Sequence, residues 1–198
     1  MISLIKKEVP LMCKELLEAA TETNIEKYCV LVERFPSLKS DAVLEYLRDA
    51  NYFTAPSSLN KHGDWIGGNF DHSRKVTELL LQYTAEEGLH WSREESPYII
   101  GLFHDMCKCD QKKFEMKNGE VVIVSANAID KRHSEKSIEL IEKNIISMTV
   151  EEKLCIYYHM GVYGGDEEYQ ILMKEMISKN PNILFTQMAD TVAAKMGI

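Results

Sequence analysis

The chain has 198 residues, 45% of them hydrophobic and 27% charged, with a formal net charge of −8. This is long enough for one domain with a proper core, and a surface of this sign repels a long polyanion unless basic residues are concentrated locally. No apolar run approaches the roughly 20 residues of a membrane span, and Lys6, Lys7, Glu8 and Pro10 interrupt the first residues too often for a signal peptide, so a cytoplasmic protein is expected.

In chain order, Leu16, Leu17, Ala20, Ile25, Tyr28 and Val32 recur mostly at three- and four-residue spacing and predict a helix over 12–33. Ser40 is placed to cap a second helix from Asp41 to about Ala50. The stretch FTAPSSLNKHGDWIGGNFDH that follows is glycine-rich and irregular, too long for a plain turn, and loops of this kind often carry function. A helix is expected from near Asp71 to Glu87, stopped by Gly88. Ser92-Arg93-Glu94-Glu95 reads as a capping box, with Pro97 just behind it, opening the helix that delivers His104 and Asp105. In KFEMKNGEVVIV, Asn118-Gly119 separates two short alternating runs and predicts a β-hairpin. Further helices are expected over about 133–147, over 150–160 after the capping box Thr149 to Glu152, and over 167–178 and 182–196. The reading is a single all-α domain, a helical bundle over 1–198 with one small hairpin inserted, in which 1–50 are N-terminal helices and 51–198 the core that carries the site.

The five cysteines, Cys13, Cys29, Cys107, Cys109 and Cys155, are odd in number and irregular in position, which argues against a disulfide framework and for a reducing compartment. Cys107 and Cys109 form only a C-x-C, so they read as small residues beside a site rather than as zinc ligands. The histidines are more informative. His72, His104 with Asp105, His133, His159 and Asp190 follow one another at intervals of 26 to 32 residues. Each interval fits a helix, a turn and a return, so successive helices of a bundle can each bring a ligand to one centre. Neighbours on a helix diverge by about 100°, so His104 and Asp105 share an ion only off the helix side or near its end. Lys108, one turn beyond His104, can point to the same pocket and hold a phosphate oxygen. Imidazole and carboxylate donors suit Mn, Fe, Co, Ni or Zn, with Mg favouring all-oxygen sites.

This order resembles the HD-domain superfamily of metal-dependent phosphohydrolases. His104-Asp105-Met106-Cys107-Lys108 looks like the H-D-x-x-K element, His72 like the preceding single histidine, and Asp190 in QMADTVAAK like the closing aspartate. The resemblance implies that His72, His104, Asp105 and Asp190 hold one divalent ion. It also implies that His133 and His159 match the extra histidines of binuclear members, in which the aspartate, here Asp105, bridges two ions. More narrowly, the stretch ending GGNFDH is similar to one ending GGLLEH in small HD proteins of bacterial viruses, and to the HD domain of bacterial 3′–5′ exoribonucleases.

The implied activity is hydrolysis of a small nucleotide, a nucleoside mono- or triphosphate or a cyclic nucleotide, with Asp105 and Lys108 as catalytic residues. His62, Lys108, Arg74, Lys131 and Arg132 are the expected substrate contacts. A 3′–5′ exonuclease and a non-catalytic nucleotide-sensing module are the alternatives; no membrane partner is expected, and a nucleic-acid partner less than a small phosphorylated one.

Overall fold

Long stretches of helix formers with apolar residues on one stripe fold as helices, and the chain is mostly helical. The structure, a computed structural model, describes residues 2–58, 63–117, 120–125 and 133–197. The elements are α1 (Ile2–Leu31), α2 (Asp41–Asp49), α3 (Gly68–Glu87), α4 (Ser96–Phe103), α5 (Lys108–Gln111), β1 (Lys112–Lys117), β2 (Glu120–Ser125), α6 (His133–Asn144), α7 (Val150–Tyr158), α8 (Glu167–Lys179) and α9 (Asn182–Lys195), with a 3₁₀ turn at Gly161–Tyr163. Among the described residues no helix is long and apolar enough to cross a membrane. The chain groups into two compact units, Met1–Phe70 with Lys108–Ile129, and Asp71–Cys107 with Asp130–Ile198.

In the first unit, α1 starts at Ile2, ahead of the apolar repeat that begins near residue 12. Its end packs Tyr28 and Val32, fully buried, with Phe35, Leu38, Val43, Leu47, Tyr52, Phe53 and Phe70. The aromatic rings meet edge-on, Tyr28 with Phe53 at 5.7 Å and Tyr52 with Phe70 at 5.8 Å between centroids. Ser40 caps α2 as expected, accepting from the Val43 N–H. The glycine-rich loop is stitched by backbone bonds: Ser57 N–H donates to Gly63 O at 2.7 Å, Gly67 N–H to Thr54 O at 2.9 Å and Asn69 N–H to Ala55 O at 3.0 Å. A Cβ on residue 68 would lie on the Gly63 carbonyl, so only glycine lets the two strands of the loop approach this closely. The hairpin forms as expected, antiparallel, from Lys112 opposite Ser125 to Lys117 opposite Glu120; Asn118 and Gly119 lie outside the described residues.

In the second unit, α7 packs against α4, α6 and α9. Helix α4 is buried on all sides, with Ile99, Ile100, Leu102 and Phe103 fully enclosed. A Cβ on Gly101 would stand 2.6 Å from Thr77 Cα, so glycine lets α4 lie directly on α3. The expected capping box at Ser92–Glu95 is not formed: α4 starts at Ser96 behind Glu95, which makes no side-chain cap bond. The segment is instead tied to the start of α7. Ser92 N–H donates to Glu151 Oε2 at 2.6 Å. Arg93 grips Glu152 with two bonds of 2.8 Å, and Ser96 Oγ–H adds a third at 2.8 Å.

Glu152 also completes the capping box that was expected at Thr149. It is fully buried, so its charge depends on these donors. Glu152→Ala leaves the Ser96 hydroxyl without its acceptor and Arg93 with the Ser147 carbonyl, at 2.9 Å. Arg93 keeps some contact with water, so the cost falls below that of a fully buried pair, at about 2–4 kcal/mol. A urea unfolding curve checks this; a midpoint equal to wild type would refute it.

Candidate metal centre

Each histidine of the cluster stands at a particular point on its helix. His72 lies in the second turn of α3, His104 caps the C-terminal end of α4, His133 opens α6, and His159 caps the C-terminal end of α7. Asp190 projects from the middle of α9. The second unit brings all of these together with Asp105. The rings form a row, His72 to His104 at 5.4 Å, His104 to His159 at 5.0 Å and His159 to His133 at 5.5 Å between centroids.

The helix-end positions of His104 and His159 fix their tautomers. Nδ1–H of His104 donates to Gly101 O at 3.0 Å, and Nδ1–H of His159 to Ile156 O at 2.7 Å, each reaching back three residues to a carbonyl in the last turn of its own helix. A carbonyl only accepts, so in the neutral ring the lone pair is on Nε2. Both Nε2 atoms are buried without a hydrogen-bond partner.

Asp105 sits between the rings and divides its oxygens. Oδ2 faces His104 Nε2 at 3.4 Å and His72 Nε2 at 3.9 Å. Oδ1 faces His133 Nε2 at 2.6 Å and His159 Nε2 at 3.8 Å. Asp190 Oδ1 lies 2.9 Å from His72 Nε2 and 3.6 Å from His104 Nε2. Separations of 3.4–3.9 Å are loose for hydrogen bonds but suit donors around one ion, which at ~2.1 Å bonds stand about 3–3.5 Å apart. Two groups could therefore hold a metal ion: His72, His104 and Asp190, and His104, Asp105 and His159, in each of which the ligand atoms lie within 4.8 Å of one another. The donors are nitrogen and oxygen throughout, and His104 is common to both groups.

Without an ion, protons do part of the work of a cation. Burial opposes charge on His104, but Asp105 and Asp190 outweigh it and lift its pKa to about 10. Burial likewise opposes charge on His133, and Asp105, helped by Cys107, raises it to about 9. For His159 burial wins, reinforced by His104, and the pKa drops to about 4. Burial would raise Asp190, yet His104 and His72 beside it hold it well below the ordinary carboxylate range.

His159 is thus neutral and ready to ligate at pH 7, whereas an ion must expel protons from His104 and His133. The sign follows: below these raised values protons compete with the ion, so uptake tightens as pH rises, by about tenfold per unit for each proton displaced. Mn²⁺ titrations at pH 6, 7 and 8 test this, and an affinity independent of pH would contradict it.

The other expected contacts fare differently. Helix α4 stops at Phe103, a turn covers 104–107, and Lys108 opens α5 in the first unit, so Lys108 is not one helical turn beyond His104. Arg74, on α3, is half-buried and pairs with Glu78 four residues on. His62, Lys131 and Arg132 lie outside the described residues. Against this geometry, no family model, curated protein or solved structure matches the chain.

One contact was not anticipated from the sequence. Cys107, read as a bystander, has its Sγ 2.7 Å from His133 Nδ1. Its partner is 26 residues away, and no local pattern announces the pairing.

Proposed function

We propose that this chain is a metal-dependent phosphohydrolase of the HD type that acts on a small nucleotide. The observation that carries the reading is the way Asp105 faces two histidines with each oxygen, beside the buried Nε2 atoms of His104 and His159, the latter a neutral nitrogen with a lone pair and no hydrogen-bond partner. Such nitrogens are costly to bury unless a ligand satisfies them. A divalent ion held there supplies Lewis acidity, toward water and toward a phosphoryl oxygen.

The chain's own residues do the rest. Asp105 and Asp190 neutralise positive charge in the site. The carbonyls of Gly101 and Ile156 keep His104 and His159 turned with Nε2 inward. The net charge of −8 favours a small phosphorylated substrate over a nucleic-acid track, and the free thiols of Cys29, Cys107, Cys109 and Cys155 fit a reducing compartment such as the cytoplasm.

The test is a hydrolysis screen with Mn²⁺, Mg²⁺, Ni²⁺ and Co²⁺ against nucleoside mono- and triphosphates, cyclic nucleotides and labelled single-stranded RNA. Turnover of the mononucleotides or cyclic nucleotides without RNA trimming supports the proposal. Processive shortening of RNA replaces it with an exonuclease, tight nucleotide binding without turnover replaces it with a sensing module, and neither binding nor turnover removes it.

A further inference from the structure

His133 differs from its neighbours in what holds its far nitrogen. His104 and His159 close their helices, where the carbonyl three residues upstream accepts from each Nδ1–H. His133 is the first residue of α6, and its Nδ1 meets a side chain rather than a carbonyl of its own helix. In that place stands the sulfur of Cys107, 2.7 Å from His133 Nδ1, while Nε2 lies 2.6 Å from Asp105 Oδ1. Sulfur, imidazole and carboxylate form one line. Cys107 is fully buried, and its own N–H donates to Ser137 Oγ at 3.1 Å, one turn beyond His133 on α6. The cysteine therefore touches α6 twice and fixes both the helix start and the ring that projects from it.

We propose that Cys107 is a positioning residue for the metal centre, with its Sγ as the acceptor that keeps Nδ1–H of His133 turned away and Nε2 turned toward the ion. The inference rests on the metal-centre reading above. The chemistry explains both halves of the arrangement. A ligating histidine needs an acceptor on its second nitrogen to set ring angle and tautomer. A thiol sulfur is a weaker acceptor than a carbonyl, so His133 is held less firmly than His104 and His159. The ion at the His133 end is accordingly the weaker and more exchangeable one. This role differs from that of Cys109, equally enclosed, whose Sγ accepts from the amide of Asn69 at 3.5 Å.

The experiment compares wild type, Cys107→Ala, Cys107→Ser and Cys109→Ala by Mn²⁺ titration calorimetry, with ¹⁵N shifts of the histidine rings recorded on the metal-free proteins. Cys107→Ala is expected to weaken the looser Mn²⁺ uptake by about 10- to 100-fold and to leave the tighter one unchanged. Its His133 Nδ1 signal shifts. Cys107→Ser, whose hydroxyl also accepts, restores most of the affinity, and Cys109→Ala removes a buried sulfur with no effect on either reading. The role of Cys107 is overturned if wild type takes up Mn²⁺ and Cys107→Ala matches it at every site with His133 Nδ1 unmoved. It is also overturned if Cys107→Ser is as weak as Cys107→Ala, because volume rather than an acceptor then matters. Wild-type protein that takes up no Mn²⁺ overturns the metal centre itself, a distinct outcome.

Discussion

Asp105→Ala is expected to abolish ion binding and hydrolysis together. Its carboxylate is almost fully buried, and four imidazoles surround it, His104 and His72 on Oδ2, His133 and His159 on Oδ1. Its two oxygens thus reach rings at both ends of the row. Its removal takes one donor from each end at once, so Mn²⁺ content measured by elemental analysis falls to near zero. Activity falls by at least about 10²–10³-fold, the scale of losing one electrostatic partner at a reacting centre. The fold survives, because no unpaired cation is left inside: burial, which already opposes charge on His133, returns that ring to the neutral form, and His104 keeps Asp190 beside it. A variant with full ion content and wild-type activity would show that Asp105 is not the shared ligand, and a collapsed unfolding midpoint would show that its role is structural instead.

How much of this was legible in the sequence depends on the distance over which the signal acts. Caps and turns are local, so Ser40, Thr149 and the hairpin around Asn118-Gly119 were readable from a few residues each. Ser92–Glu95 has the same local signature and misleads, because Glu152 of α7 attracts Arg93 and Ser96 more strongly than a cap would. The spacing of the histidines predicted one ligand per helix, and the second unit gathers them as expected. What spacing cannot give is the side of a ring that faces inward. That depends on helix ends, and α4 ending at Phe103 is what places His104 and Asp105 where both reach one centre while Lys108 starts another helix. The contact between Cys107 and His133 is tertiary and left no trace in either segment alone. The same holds for the division into units, in which residues 51–70 group with the N-terminal helices and not with the histidines.

The remaining large effect concerns how many ions the row of histidines holds. If His72, His104 and Asp190 hold one ion and Asp105, His133 and His159 another, wild type at saturating Mn²⁺ carries two per chain. The geometry favours this: the oxygens of Asp105 face opposite pairs of rings, Oδ2 toward His72 and His104 and Oδ1 toward His133 and His159. The competing arrangement places one ion and leaves His133 and His159 to donate hydrogen bonds to a substrate phosphate. Burial argues against it for His159, which is held neutral with its Nδ1–H already committed to Ile156 O, so its Nε2 has a lone pair and no hydrogen to give. The double variant His133→Ala, His159→Ala separates the two. In the binuclear case it binds about half the wild-type Mn²⁺ and loses at least about 10²-fold in activity, since one of two charges that hold the phosphoryl group is gone. The His72–His104–Asp190 end keeps its ion, because none of its donors has been touched. If wild type carries one ion per chain and the double variant still carries one, both histidines serve the substrate, and the loss then shows chiefly as a raised KM.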